Sequence, residues 1–331
     1  MRRNLGNLIK SLENAIYDGA INDYLASLPH TGKPRIKVSF SSGETSAYMA
    51  YRMKTEMSDD YELCFVMANT GEETEKSLIF ADRCDKAWGL NLIYVEAVVH
   101  PEFGVASTHK QVTFETASRN GEPFEEMIKV YGIPNMDFEP CNRELKLNAM
   151  KSYMKSISWY DYQTAIGIRM DERRRVNPET AKKNKIIYPL IDIWPTDKQD
   201  VRDFWEDQPF QLGLQEHEGN CKWCWKKSDK KHFRLISEHP EIYDFPRRME
   251  QQYGWCGAPH YGEPSVDGKP RVFFRNKRST DDMFAQAREL GFVPHIPIKE
   301  VRSHEARQFN LDLDAGGCGE TCEPYPMEVK P

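Results

Sequence analysis

The chain has 331 residues, of which 39% are hydrophobic and 29% are charged, and its formal net charge is −6. This length suffices for one large domain or two ordinary ones, and the composition is that of a globular protein of enzyme size. The net negative charge argues against sequence-independent binding of nucleic acid over the whole protein surface.

The N-terminal sequence, MRRNLGNLIKSLENAI, is an amphipathic helical pattern interrupted by charges. It differs from a signal peptide, and no run in the chain reaches the roughly 18 apolar residues of a membrane helix. We therefore expect a cytoplasmic protein without membrane contact. Its eight cysteines are then expected to be reduced thiols, so clustered cysteines indicate metal or redox chemistry.

The chain divides into three predicted regions: a helical extension over 1–34, an α/β domain over 35–200 and an irregular cysteine-bearing region over 201–331. In the middle region apolar runs alternate with helical patterns, which predicts a parallel sheet flanked by helices. The predicted strands cover 36–40, 63–68, 92–99, 164–168 and 186–191, and the predicted helices include 46–57 and 73–88.

Ligands of such sheets lie beyond the carboxyl ends of the strands, and the first of these ends carries a polar loop. The sequence VSFSSGETSAYMA, residues 38–50, indicates a strand, a tight loop and a helix. The free N–H groups of a helix N-terminus suit phosphate, Gly43 allows close approach, and Ser41, Thr45 and Ser46 offer hydroxyls. The alternative is an ordinary turn with a Ser or Thr cap.

Two further strand ends carry polar loops. ANTGE (68–72) ends one strand and opens the next helix, where Asn69 or Thr70 is a candidate cap and Glu72 is favoured by the helix dipole. In GIRMDERRR (167–175), guanidinium groups match the oxygens of phosphate or sulfate, or else form salt bridges on a solvated face.

The cysteines supply a second type of signal. Cys221 and Cys224 form a C-x2-C pair, which is compatible with zinc, an iron–sulfur cluster or a redox couple. Upstream, Cys141 opens CNRELK, where Arg143 and Lys146 are spaced to share one face of an α-helix.

Basic and aromatic residues interleave between residues 222 and 234. This mixture is typical of single-stranded nucleic-acid binding, in which cations attract the backbone and rings stack on bases. It is also typical of the surroundings of an anionic thiolate site. The basic residues are Lys222, Lys226, Lys227, Lys230, Lys231 and Arg234, and the aromatic ones are Trp223, Trp225 and Phe233.

Six motifs in this order resemble those of the phosphoadenosine phosphosulfate (PAPS) reductase-like proteins common in phages, within the PP-loop superfamily. The resemblance implies an adenine nucleotide α-hydrolase-like fold that binds ATP or PAPS, with or without Mg²⁺, in the cytoplasm of a bacterial host. The motifs are SFSSGETS (39–46), ANTGE (68–72), CNRELK (141–146), GIRMDE (167–172), YPL (188–190) and GNCKWC (219–224).

The sequence departs from the family pattern at the first loop. Ser42 replaces a second glycine and Thr45 replaces an aspartate. A serine at position 42 is compatible with the loop only if its φ is negative or the strain is compensated.

The resemblance also implies roles for individual residues. The reacting anion is expected beside Cys141, Arg143, Lys146 and Arg169. A 4Fe-4S cluster, or zinc as the alternative, is expected on Cys141, Cys221 and Cys224, with Cys256, Cys318 or Cys322 as further ligands. The nucleotide is expected on Ser39, Ser41, Ser42, Gly43, Glu44, Thr45, Ser46, Asn69, Thr70, Gly71, Glu72, Gly167, Asp171 and Arg174. The resemblance makes Glu72, or its neighbour Glu73, available to a ribose or a metal ion.

The implied activity is that of a PAPS reductase-like oxidoreductase or a PP-loop sulfurtransferase. The resemblance also implies a redox partner protein, and it is compatible with an oligomeric protein. Two other interpretations stay open. One is ATP-dependent sulfur modification of DNA or tRNA, and the other is a non-catalytic nucleotide-binding protein with structural zinc. Because one fold hosts several reactions, the choice depends on the site.

Overall fold

A computed structural model of the protein describes residues 32–136, 138–256 and 269–293. The predicted extension, apart from residues 32–34, lies outside the described residues, as do Cys318 and Cys322. In the described ranges, every helix is too short or too polar to cross a membrane.

A six-stranded sheet with the order β4-β3-β2-β1-β5-β6 organises the fold. All neighbouring pairs are parallel except β3 with β4. The protein is therefore an α/β protein, as predicted. The strands are β1 (Arg35–Ser39), β2 (Glu62–Asn69), β3 (Ile93–Val98), β4 (Thr108–Val112), β5 (Gln163–Ala165) and β6 (Ile186–Ile187).

The prediction of a wholly parallel sheet is wrong at one edge, where β4 runs antiparallel to β3. The sequence of β4, THKQV, is polar and mostly exposed, so it lacks the apolar run that marks a buried parallel strand. The last predicted strand is also shorter than expected, because Pro189 begins a helix.

Helices cover both faces of the sheet. The α-helices are α1 (Glu44–Glu56), α2 (Glu75–Trp88), α3 (Glu122–Tyr131), α4 (Ala149–Ser156), α5 (Pro178–Lys183), α6 (Pro189–Asp192), α7 (Lys198–Glu206), α8 (Asp229–Glu238), α9 (Asp244–Tyr253) and α10 (Thr280–Glu289). A π-helix spans Cys141–Asn148, and 3₁₀ turns span Met170–Arg175, Pro240–Tyr243 and Arg275–Lys277.

Two large apolar clusters and a smaller third one fill the space between the sheet and the helices. Val38 of β1 packs with residues of α1, α2 and α7 on one face. Val66 and Val95 of β2 and β3 face the other side, where α3 and α4 cover them. Trp223 and Phe245, from the predicted C-terminal region, belong to this second cluster. The described part of that region is thus packed on the α/β core.

Candidate functional site

The carboxyl ends of β1 and β5 lie side by side in the sheet. From β1 the chain builds β2 and β3 on one side, whereas β5 and β6 lie on the other side. Doubly wound sheets bind ligands at the point where the strand order reverses in this way. Two of the predicted motifs, the loop after β1 and the segment after β5, flank this point.

Serine hydroxyls fold the loop between β1 and α1. Ser46 Oγ accepts hydrogen bonds from the Ser41 N–H at 3.1 Å and from Ser41 Oγ at 2.9 Å. It donates to the Gly43 carbonyl at 3.0 Å. Gly43 is the N-cap of the 13-residue α1 and has no side chain with which to cap it. The alternative of an ordinary Ser or Thr cap is therefore wrong, and the positive helix end is left to another acceptor.

Ser42 has a φ of 58°, in the left-handed region that favours glycine. Ser42 therefore does not have the negative φ that would make a serine compatible with this loop, so the strain must be compensated. The buried Ser42 hydroxyl donates to the Ser41 carbonyl at 2.6 Å, which is a local compensation. The loop keeps a glycine-like turn and stores strain at a candidate site.

Ser39, the last residue of β1, carries a buried hydroxyl that has no hydrogen-bond partner among the described residues. Leaving a buried polar group unpaired costs free energy, and native structures rarely tolerate it without a reason. Its position at the base of the loop fits a ligand oxygen. This observation is compatible with the predicted nucleotide site.

Arg169 connects the end of β5 to the start of α1. Its Nη1 donates to Thr45 Oγ1 at 2.8 Å, and its Nε and Nη2 donate to the Asp171 carboxylate at 2.9 and 3.0 Å. The same guanidinium lowers the pKa of Asp171. Gly167 permits this close packing, since a Cβ there would lie 3.2 Å from Ser46 Cα. Thr45 therefore anchors the guanidinium group of Arg169.

The remaining predicted arginine, Arg174, is exposed on the 3₁₀ turn that follows. Glu44 begins α1, and its carbonyl accepts a hydrogen bond from the Trp205 indole at 3.1 Å. The indole thus fixes the N-terminal turn of α1 from the side of α7.

The loop after β2 holds two buried carboxyl groups. The Thr70 N–H and hydroxyl donate to Glu73 at 2.8 to 3.0 Å. The Trp223 indole donates to Glu72 Oε2 at 2.5 Å. Burial raises the pKa of Glu72 to about 7. At neutral pH this carboxyl group is therefore present in both its protonated and its ionised form.

The predicted caps of the next helix, Asn69 or Thr70, are wrong. Thr74 caps α2, and its Oγ1 accepts from the Ser77 N–H at 3.1 Å. Asn69 instead donates to Glu96 Oε1 at 2.6 Å across the parallel register of β2 and β3. Glu96 was not predicted as a partner of this loop. A single acid within the apolar strand IYVEAV is the signal that could have found it.

Gly71 turns the same loop with a φ of 82°. A Cβ at this position would lie 2.9 Å from the backbone of Gly121. Gly71 is therefore required by backbone packing, whatever its relation to a ligand.

The C-x2-C loop lies directly against these elements. Cys221 and Glu73 form an antiparallel bridge, and the Thr74 N–H donates to the Asn220 carbonyl at 2.8 Å. The Asn220 side chain donates to the Ser41 carbonyl at 2.6 Å. Three motifs that are far apart in the sequence thus meet at the carboxyl edge of the sheet.

The thiols of Cys221 and Cys224 are within hydrogen-bond reach of each other. The Cys224 thiol, together with burial, raises the pKa of Cys221 well above its usual range, and Lys227 acts in the opposite direction. The buried Lys227 Nζ donates to the carbonyls of Cys221 and Lys222 at 2.5 and 3.3 Å. Lys227, predicted to lie on a basic surface, therefore has a structural role that its position in a charged stretch does not indicate.

Within the described ranges, no group of three or more His, Cys, Asp or Glu side chains is placed to hold a metal ion. The predicted cluster takes at least three cysteine ligands, whereas two thiols, those of Cys221 and Cys224, lie together among the described residues. Cys256 is half-buried at the end of a described range. The predicted cluster, or zinc, on this cysteine set stays a prediction.

Cys141 begins the π-helix that carries Arg143 and Lys146. Hydrogen bonds in a π-helix span five residues instead of four, so residues three apart lie farther round the helix. The prediction of α-helical spacing is therefore wrong here. Arg143 Nε donates to the buried Glu144 at 2.7 Å, and its guanidinium lies 5.4 Å from the Tyr131 ring.

The rings of the 222–234 strip are in the core. Trp223, Trp225 and Phe233 are 0%, 2% and 4% exposed, so they are unable to stack on bases. Lys226 forms an ion pair with Glu139, just before the π-helix. The interpretation of this strip as a basic and aromatic binding surface is thus wrong for its rings.

The fold and site define an α/β protein in which polar loops and a cysteine pair converge at the strand-order reversal of a mixed sheet. The chain belongs to the family of the uncharacterized nin region protein ORF290 of Escherichia phage lambda. The two are 32% identical over 292 residues, which are 87% of this chain and 94% of the lambda protein.

Two uncharacterized proteins of Methanocaldococcus jannaschii are also similar, each at 24% identity. The matches cover 63% and 49% of this chain but only 46% and 29% of the archaeal proteins, so the chain spans less than half of their length. No protein-family model matches the chain.

Proposed function

We propose that the protein is a nucleotide-dependent sulfur enzyme of the PAPS reductase-like type. It binds the phosphates of ATP or PAPS at the loop between β1 and α1. The observation that carries this proposal is the hydrogen bond from Asn220 to Ser41, which joins the cysteine loop to the candidate phosphate loop. A nucleotide at that loop would therefore lie beside a pair of thiols.

Three features of the loop suit an anion. The N-terminus of α1 has a positive partial charge and a glycine N-cap. The Ser39 hydroxyl is buried and unpartnered among the described residues. Arg169 is already oriented by Thr45 and Asp171, so little of its side-chain freedom remains to be lost when a phosphate binds.

The cysteine pair suits the sulfur step. Two thiols can supply two electrons to an activated sulfate. One thiolate attacks the sulfur of PAPS and adenosine 3',5'-bisphosphate leaves; the second thiol then attacks the S-sulfonated cysteine, so that sulfite leaves and a disulfide forms, which a redox partner protein reduces again. In the related sulfurtransferase reaction, ATP adenylates a substrate oxygen with release of pyrophosphate, and hydrosulfide from a sulfide donor then displaces AMP. Both reactions need the nucleotide and a sulfur site close together, and the hydrogen bond from Asn220 to Ser41 supports such an arrangement.

Arg169→Ala tests the nucleotide site, with Arg173→Ala as the matched control on the same segment. Arg173 is exposed on the 3₁₀ turn, so its removal leaves the loop unchanged. Loss of a charged hydrogen bond costs about 1.5–3 kcal/mol, so Arg169→Ala should weaken nucleotide affinity roughly 10- to 100-fold in calorimetry. The site assignment is refuted if wild type binds neither ATP nor PAPS, or if the two variants bind equally well.

Turnover is measured on protein purified without oxygen, as sulfite release from PAPS and pyrophosphate release from ATP. Mass spectrometry of the Cys221–Cys224 peptide reports disulfide formation in the same samples. Stoichiometric sulfite and disulfide support the reductase, and pyrophosphate release supports the sulfurtransferase. Binding without either product would favour the non-catalytic nucleotide-binding interpretation.

A further inference from the structure

A surface pocket of about 210 Å³ lies beside the amino ends of β5 and β6. The candidate site described above lies at the carboxyl ends of the strands, so the two share none of the site residues. The pocket wall includes four lysines and two tyrosines, and no acidic residue is among the described residues that line it. These six are Lys37, Lys151, Lys183, Lys185, Tyr160 and Tyr162.

Lys37 lies in the middle of β1, between the core residues Ile36 and Val38, and is only 3% exposed. The strand register aligns Lys37 with Thr164, another lining residue. Its Nζ lies 6.0 Å from the centre of the Tyr162 ring. Lysine is among the residue types least often buried, so a lysine in this position distinguishes the pocket from an ordinary solvated surface.

The other lysines add positive charge at the rim. Lys185 pairs with Asp161 at 2.5 Å, so the excess positive charge of the pocket comes from Lys37, Lys151 and Lys183. Lys151 of α4 and Lys183 of α5 are exposed, and among the described residues no carboxylate lies within ion-pair distance of either. The pocket is therefore locally basic on a chain whose net charge is −6.

An exposed aromatic ring completes the arrangement. Tyr160 is 60% exposed at the pocket, in contrast to the buried rings of the 222–234 strip. A ring beside several cations matches a nucleotide, since the ring stacks on the base and the cations contact the phosphate. The volume is below the roughly 300–1,000 Å³ of a site that encloses a whole ligand, so a base on Tyr160 would stay largely outside.

We propose that this pocket binds a nucleoside phosphate, either free or as one unit of single-stranded nucleic acid. The proposal is independent of the proposed function at the PP-loop-like site. It gives the chain a second binding surface for phosphate esters, beside the amino ends of β5 and β6.

The test compares Lys151→Glu/Lys183→Glu with Lys76→Glu/Lys86→Glu. The control pair lies on α2, on the other face of the sheet, and makes the same charge change at exposed positions. Binding is followed by fluorescence anisotropy with labelled single-stranded DNA and RNA of several lengths. AMP serves as the free-nucleotide probe. All probes are also measured on Arg169→Ala protein, which separates this pocket from the other site.

The pocket variant should lose about tenfold or more in oligonucleotide affinity, and its salt slope should fall by roughly 1.4, about 0.7 for each phosphate that a lysine no longer neutralises. The control should bind like wild type. Tyr160→Ala should also weaken binding at least about fivefold, because its ring no longer stacks on a base. Trp255→Ala, which removes another exposed ring, should have no effect.

A free nucleotide and a unit of single-stranded nucleic acid are distinguished by how the binding affinity depends on oligonucleotide length and on competing AMP. Affinity that rises with oligonucleotide length and resists AMP supports nucleic acid, whereas length-independent affinity with AMP competition supports a free nucleotide. The proposal is overturned if wild type binds neither probe. It is equally overturned if the pocket variant, folded by circular dichroism, binds both probes as tightly as wild type.

Discussion

Ser42 allows a direct measurement of the strain in the candidate phosphate loop. A left-handed φ costs a non-glycine residue about 1–2 kcal/mol, and Ser42 recovers about 1 kcal/mol through its hydrogen bond to the Ser41 carbonyl. Ser42→Ala keeps the strain and removes the bond, so it should be about 1 kcal/mol less stable than wild type. Ser42→Gly also removes the bond and costs about 0.5–1 kcal/mol of backbone entropy, but relieves the strain, so it should stay close to wild type.

The assay is urea unfolding of both variants, with stability compared at equal m-value. Ser158 provides the matched control, since it has the same φ of 58° and its hydroxyl has no hydrogen-bond partner among the described residues. There the glycine variant should exceed wild type by about 0.5–1 kcal/mol, because no bond is removed. If Ser42→Ala equals or exceeds Ser42→Gly in stability, the argument from strain is wrong.

Three further predictions concern the neighbouring loops. Glu72→Gln should raise the unfolding free energy by up to about 3 kcal/mol at pH 8 and by little at pH 5. The reason is that the pKa of Glu72 is about 7 in the folded protein and about 4.5 in the unfolded chain, so the wild type loses stability as the pH rises between these two values. Gly71→Ala should cost more than about 3 kcal/mol in urea unfolding, because its Cβ meets backbone at 2.9 Å. Lys227→Met should slow iodoacetamide labelling of Cys221 severalfold, because Lys227 lowers the pKa of that thiol.

Each of these predictions has its own control. A pH-independent gain for Glu72→Gln would show that its charge is not the cause. Gly89→Ala has a φ of 60° with nothing within 4 Å of the new Cβ, so it should cost only about 1 kcal/mol, and equal losses at both glycines would contradict the packing argument. Labelling of Cys64, whose pKa burial raises to about 12, should not respond to Lys227→Met.

The sequence was sufficient for the central part of the fold. The segment from β1 to α1 follows from local patterns: an apolar run, a glycine loop and a helix-compatible stretch. It was insufficient for β4, because an exposed, polar edge strand is stabilised by its partner β3 and not by its own pattern. The sequence was also insufficient for the π-helix at Cys141, because its residue pattern does not distinguish a π-helix from an α-helix.

The sequence alone thus determined which residue types are available: a loop of serines and glycine after β1, arginines after β5 and a cysteine pair. Only the tertiary structure decided which of them meet. The bond from Asn220 to Ser41 spans 179 residues, and the burial of Trp223 against Glu72 converts an expected surface ring into a core hydrogen-bond donor. Long-range hydrogen bonds and burial depend on how distant segments pack, and a local pattern carries no information about that packing.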